Sequence, residues 1–141
     1  MEIRHELDAS SEVEMDEQWS YVGSKDNQRW LWYALDRMTS MVLAFVLGRR
    51  TDEVFKTLLG KLDHFTIHRY YTDDWQSYRK YLPSDKHVIS KGETQRIENK
   101  NLTLRTRIKR LTRKTICFSK SEELHDGVIG MFINKHCFQP L

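Results

Sequence analysis

Between Glu12 and Val22 the chain alternates, with Val13, Met15, Trp19 and Tyr21 on one side and Glu14, Asp16, Gln18 and Ser20 on the other. A period of two predicts a strand whose polar side, Asp16 included, faces away from the core. A turn over Gly23, Ser24, Lys25, Asp26 and Asn27 separates it from RWLWYALD (29–36), and a second turn from Arg37 to Ser40 leads to MVLAFVLG (41–48). Three strands joined by short turns predict an antiparallel meander. The period then changes to that of a helix, capped by Thr51 and lined by Val54, Phe55, Leu58, Leu59 and Leu62 until about His64. Strand character returns in FTIHRYYTDD (65–74), followed by a short helix WQSYRKYL (75–82) stopped by Pro83 and a short strand KHVIS (86–90).

The longest helical signal covers 93–114, where Ile97, Leu104, Ile108 and Leu111 form a stripe. At 100° per residue, Glu98 and Arg105 fall on one flank of it, two turns apart. Ser119 and Glu122 form a capping box for a last helix whose Leu124, Val128, Ile129, Phe132 and Ile133 are expected to pack on the core. The order β-β-β-α-β-α-β-α predicts an α/β fold: a mixed sheet of three antiparallel strands and two further strands, flanked by helices. With six Gly, two Pro and no repeat, no linker is visible. The expected organisation is an acidic extension at 1–11, a single core at 12–114 and a helical segment at 115–141 packed on it.

A length of 141 residues suits one hydrophobic core, and an aromatic content of 11% excludes disorder as the default. No apolar run nears the roughly 18 residues of a membrane span, and the acidic opening is unlike a signal peptide, so a cytoplasmic protein is expected. Cys117 and Cys137 have no CxxC partner and read as reduced core residues.

Charge changes the picture more than composition. The net +3 averages an acidic start, with eight acids against Arg4 and Lys25 in 1–28, and a basic stretch over 93–120, with nine bases against Glu93 and Glu98. A polyanionic partner fits that stretch, although a solvated basic helix would show the same run. The acids that stand out sit at structural edges: Asp16 on the first strand, Asp73 and Asp74 at the end of the fourth, and Glu98 beside the stripe of the long helix. Three converging carboxylates make a hard oxygen site for Mg²⁺ or Mn²⁺, and two such ions about 3.5–4 Å apart serve phosphodiester chemistry. With 20 acids in the chain, spacing alone does not choose the three.

The stretches DEQWSYVGSKDNQRWLWYALDR, YTDDW, HVISKGETQRIENKNLTLRTRIKRLTRKT and FSKSEELHDGVIG resemble, in the same order, the transposases of the IS-one type of bacterial insertion sequence. The likeness runs from about residue 15 to about residue 130. It implies a DDE recombinase with a ribonuclease-H-like fold, using Mg²⁺, for which Mn²⁺ can substitute, to cleave DNA and transfer strands. By motif, the catalytic and metal-binding residues would be Asp16 in MDEQW, Asp73 in YTDDW and Glu98 in QRIEN. Arg105 meets the basic residue found seven positions after the glutamate in many such enzymes. TDDW departs from an expected aspartate followed by a small residue, which leaves Asp74 as an alternative ligand or a helix cap.

The same resemblance implies DNA as partner, both element ends and target, with a homo-oligomer acting on paired ends and an association with the bacterial nucleoid. The zinc-binding and helix-turn-helix region of such transposases does not occur in this sequence and is expected from an upstream frame. Lys91, Arg96, Lys100, Arg105, Arg107 and Lys109 are candidate DNA-backbone contacts, and Trp75 a candidate stacking contact. Trp30 and Trp32 read as core packing, and His125 and Asp126 as polar residues of a first helical turn with a lesser claim on the site. Two other functions fit: a non-catalytic DNA-binding remnant of a transposase, and a stand-alone nuclease of the same fold.

Overall fold

The computed structural model describes residues 11–108, Leu111 and 122–136. Lys109, Cys117, Ser119, Cys137 and most of the acidic extension, on which expectations above rest, lie outside the described residues. Three strands open the fold: β1 (Ser11–Val22), β2 (Ser24–Asp36) and β3 (Val42–Gly48). β1 pairs antiparallel with β2, and β2 with β3, as the meander requires. The first turn is tighter than expected. Gly23 alone reverses the chain at φ 78°, a conformation that costs glycine little, so the polar residues 24–27 begin β2 instead of forming a loop.

Helix α1 (Asp52–Lys61) follows, with the Thr51 hydroxyl accepting the Val54 N–H at 3.3 Å. Phe55 and Leu58 are its buried residues. It carries the chain back to β4 (Ile67–Thr72), which lies parallel to β1; the short α2 (Gln76–Tyr81) then leads to β5 (His87–Ile89), parallel to β4. The sheet order is β3-β2-β1-β4-β5, with β1 at the centre. Helices α3 (Gln95–Arg107) and α4 (Glu122–His136) complete the described elements.

Apolar layers cover both faces of the sheet. Val13, Met15, Trp32 and Ala34 pack with Phe55, Leu58 and Tyr78 on one face. Leu31, Tyr33 and Leu35 pack with Ile97, Leu104, Ile129 and Ile133 on the other. The polar side of β1 is therefore not at the surface, contrary to the alternation: Glu14, Gln18 and Ser20 are all buried. Partners from distant segments make this tolerable. Glu14 accepts hydrogen bonds from the Ile97 N–H and from Arg37 Nε, each at 2.9 Å, and Gln18 Nε2 donates to Asn101 Oδ1 at 3.0 Å.

Two other expectations are corrected. α3 stops at Arg107, where Ile108 turns to extended backbone (φ −114°, ψ 105°), and Ile108 and Leu111 still reach the core. α4 is rotated from its expected facing, so that Leu124 is exposed while His125 is buried. The reason is polar: His125 Nε2 and Ser20 Oγ share a hydrogen bond of 2.8 Å beneath the helix.

Candidate active site

The partnership of β1 with β4 ends early. Its last register pair is Glu14 with Tyr71, and β4 itself ends at Thr72. Two residues further on, Asp16 stands level with Asp73. Successive side chains of a strand point to opposite faces, so Asp16 turns toward α3 and Glu17 toward α1 and α2. Beyond the end of β4 no paired strand separates those two faces. One carboxylate oxygen each from Asp16, Glu17 and Asp73 lies within 4.8 Å of the others.

The charges cost energy where they stand. Burial, then the neighbouring Glu17 charge, lifts the Asp16 carboxyl from its ordinary 3.8 to about 7, and Asp73 adds to the rise. Burial also raises Glu17, against hydrogen bonds from Tyr78 and Arg50. The Tyr78 hydroxyl, donating to Glu17 from a fully buried position, is held well above its usual range by burial and by the three carboxylates. Asp16 is oriented from two sides: the Glu17 N–H donates to Oδ1 at 2.8 Å, and Asn101 Nδ2 donates to Oδ2 at 2.9 Å. Asn101 is fixed in turn, its Oδ1 accepting from Tyr33 Oη at 2.6 Å. Asp73 is exposed and accepts the Trp75 N–H at 3.1 Å.

Of the three acids expected at the site, the structure brings Asp16 and Asp73 together. Glu98 is exposed on α3, one turn before Asn101, and accepts from the Thr94 hydroxyl at 3.3 Å outside the cluster. Asp74 also lies outside it: its carboxylate pairs with Arg79, which lowers its pKa.

The candidate DNA contacts divide. Arg96 is exposed, with Nη1 3.6 Å from Glu14, and Lys100 is half-buried. Arg105 points inward, donating to Gln18 Oε1 at 3.3 Å, and Arg107 lies over the Phe132 ring. Lys91 starts a single 3₁₀ turn, Lys91–Glu93, before α3. Trp75 is partly buried, its ring 5.1 Å from Trp32 on one contact and 4.6 Å from the Arg50 guanidinium on another. His125 is buried against Ser20 rather than facing water, and Asp126 pairs with Arg29.

Sequence reasoning passed over Glu17, Tyr78, Arg50 and Asn101. Strand alternation assigns Glu17 to the far side from Asp16, which hides their meeting. Asn101 had a visible signal: it is a polar residue four positions after Ile97, inside the apolar stripe.

Comparison with known proteins decides the family. The family model described as IS1 transposase matches residues 11–139. The chain belongs to the IS1 transposase family. It is 59% identical over 125 residues to the insertion element iso-IS1n protein InsB of Shigella dysenteriae, covering 89% of this chain and 95% of that protein. It is 52% identical over 125 residues to the insertion element IS1 4 protein InsB of Escherichia coli (strain K12), covering 88% of this chain and 75% of that protein. A solved structure of the HTLV-2 integrase catalytic core domain in complex with magnesium, in a trimeric form, matches with a TM-score of 0.54 at 15% identity, over 87% of this chain and 79% of that one. That likeness shows the fold, the ribonuclease-H-like one of integrase cores. The IS1 family member is thus a DDE transposase domain, a nucleic-acid-cutting class of enzyme that works on DNA. Among the described residues no helix is long and apolar enough to cross a membrane.

Proposed function

We propose that this chain cuts DNA at the ends of an insertion sequence and joins the freed ends to target DNA, using Mg²⁺, or Mn²⁺ in its place, held by Asp16, Asp73 and Glu98. The observation that carries the reading is the meeting of the Asp16 and Asp73 carboxylates where β1 runs on past the end of β4, in a member of the IS1 transposase family. The donor set fits a hard divalent cation. It is all oxygen, and the raised Asp16 pKa reflects burial and then the neighbouring carboxylate charges, both of which a cation would offset. Glu98 completes the set by motif and lies on the helix that Asn101 ties to Asp16. When bound, such ions activate the attacking water or hydroxyl and neutralise the leaving oxygen.

The protein's own part is orientation. Asn101 and the Glu17 N–H hold Asp16 with both oxygens directed, and Tyr78 and Arg50 hold Glu17, so the site is organised before DNA arrives. Lys91, Arg96, Lys100, Arg107 and Lys109 supply positive charge for the DNA backbone, Arg105 being turned inward to Gln18, and Trp75 a ring beside Asp73. No covalent link between protein and DNA is needed. The chain acts as a homo-oligomer on paired ends at the nucleoid, with end recognition contributed by a zinc-binding and helix-turn-helix region encoded upstream.

The test is a joining assay on pre-cleaved element ends with the complete transposase. Asp16→Asn and Glu98→Gln are each expected to abolish joining in Mg²⁺. Undiminished joining by either variant would remove that residue from the catalytic set.

A further inference from the structure

We infer that Arg50 is a phosphate-binding residue of the cutting site, gripping a DNA phosphate beside the one that is cut; this rests on the DNA-cutting reading above. Arg50 lies between the end of β3 and the cap of α1, and the loop that bears it is pinned on both sides. Trp32 Nε1 donates to the Arg49 carbonyl at 3.1 Å, and Thr51 caps the helix that follows.

Its guanidinium is held by three groups at once. It lies 4.7 Å from the Trp30 ring centroid and 4.6 Å from that of Trp75, and Nη2 donates to Glu17 Oε2 at 2.7 Å. Glu17 belongs to the acidic cluster and Trp75 is two residues from Asp73. The cation thus stands beside the acidic cluster, at the edge of the site.

Balancing Glu17 does not exhaust this arginine. Glu17 occupies one donor of five, and among the described residues no acceptor is found for Nε or Nη1. The Arg50 side chain is 38% exposed while that of Glu17 is 3% exposed. One side of the fork is anchored inward and the rest is open to solvent. Contact with two rings holds the guanidinium in place in advance, so little side-chain freedom is lost when a phosphate is gripped. A planar, pre-oriented fork suits two-point recognition of a phosphate's oxygens.

The experiment is single-turnover cleavage by the complete transposase on duplexes in which one phosphate at a time near the cut is replaced by a neutral methylphosphonate. Arg50→Gln is tested alone and in a Glu17→Gln background, where no buried carboxylate is left without its cation. The wild type is expected to lose about 10- to 100-fold at one such phosphate, the loss associated with one charged hydrogen-bonded contact. Variants lacking Arg50 start slower and lose less than about two-fold more at that phosphate, while matching the parent's losses elsewhere. Losses that multiply independently at every phosphate, in both backgrounds, would overturn the inference and leave the DNA-cutting reading standing. A wild type that neither cuts nor joins would overturn that reading, and this inference with it.

Discussion

Asp16 shows how a single carboxylate reports its surroundings. Its pKa rises from 3.8 to about 7 through burial and the Glu17 charge, and Glu17 shifts in the same direction. A raised acid keeps its proton in the fold where the unfolded chain has lost it. Metal-free stability is therefore greatest below about pH 4 on account of this group, falls as pH rises through 4 to 7, and levels off above. Thermal unfolding without metal should show a midpoint lower at pH 8 than at pH 5. Asp16→Asn should flatten that slope and stabilise the metal-free chain at pH 8 by about 1–2 kcal/mol. The full shift would imply about 4 kcal/mol, but the group is only half-buried and water screens part of it. Added Mg²⁺ should raise the wild-type midpoint more at pH 8 than at pH 5, since metal and proton compete for the same oxygens. A midpoint independent of pH in the wild type would show that neither burial nor the Glu17 charge disfavours the ionised Asp16 carboxylate. At this scale Asp16 was legible because it stands on the polar side of β1, and Asp73 because it follows the end of β4. Glu17 was not, because alternation sends neighbours to opposite faces and carries no information about where a partner strand stops.

The elements meet through polar groups as much as apolar ones. α3 is tied to β1 at two points: Glu14 accepts the Ile97 N–H in the first turn of the helix, and Asn101 reaches Asp16 from its middle. Glu14 is wholly buried yet faces Arg37 at 2.9 Å and Arg96 at 3.6 Å, and Arg37 extends the chain of charges to Glu93. Glu14→Ala takes one of its carboxylate partners from half-buried Arg37 and leaves the Ile97 N–H in the first helical turn without an acceptor, and should cost about 1–3 kcal/mol in denaturant unfolding. Asn101→Leu keeps the volume but drops the hydrogen bonds to Asp16, Tyr33 and Gln18. It should cost about 1–3 kcal/mol and weaken Mg²⁺ binding more than its loss of stability explains, as titration calorimetry would show. Equal metal affinity in Asn101→Leu and wild type would confine Asn101 to packing. The strands and helices themselves were legible from period, since Val13, Met15, Ile97 and Leu104 all reach the core as read. The burial of Glu14, Gln18 and Ser20 was not, because their partners arrive from Arg37, Asn101 and His125 in other elements and no local window holds both halves of such a pair.

For the molecule as a whole, strand order decides where the chemistry falls. The element sequence was readable, but the central place of β1 depends on β4 returning parallel to it across α1, a long-range pairing that periodicity does not encode. That pairing sets Asp16 beside Asp73 and aims the basic α3 past the same end of the sheet. The charge run of that helix, undecided between DNA binding and plain solvation in the sequence, divides in the fold. Arg105 is turned inward to Gln18, whereas Arg96 and Arg107 are exposed. If the exposed pair meets DNA phosphates, each contact releases counterions and contributes about 0.9 to the slope of log affinity against log salt. Arg96→Ala with Arg107→Ala should then lower that slope by about 2 and weaken binding equally for duplexes of unrelated sequence, measured by fluorescence anisotropy from low to high salt. Arg105→Ala should act chiefly on stability, because its donor serves the buried Gln18, and should leave the slope nearly unchanged. The opposite pattern, an unaltered slope in the double variant and a reduced one in Arg105→Ala, would mean that DNA approaches along the sheet side of α3, which β1 and Gln18 close off in this fold.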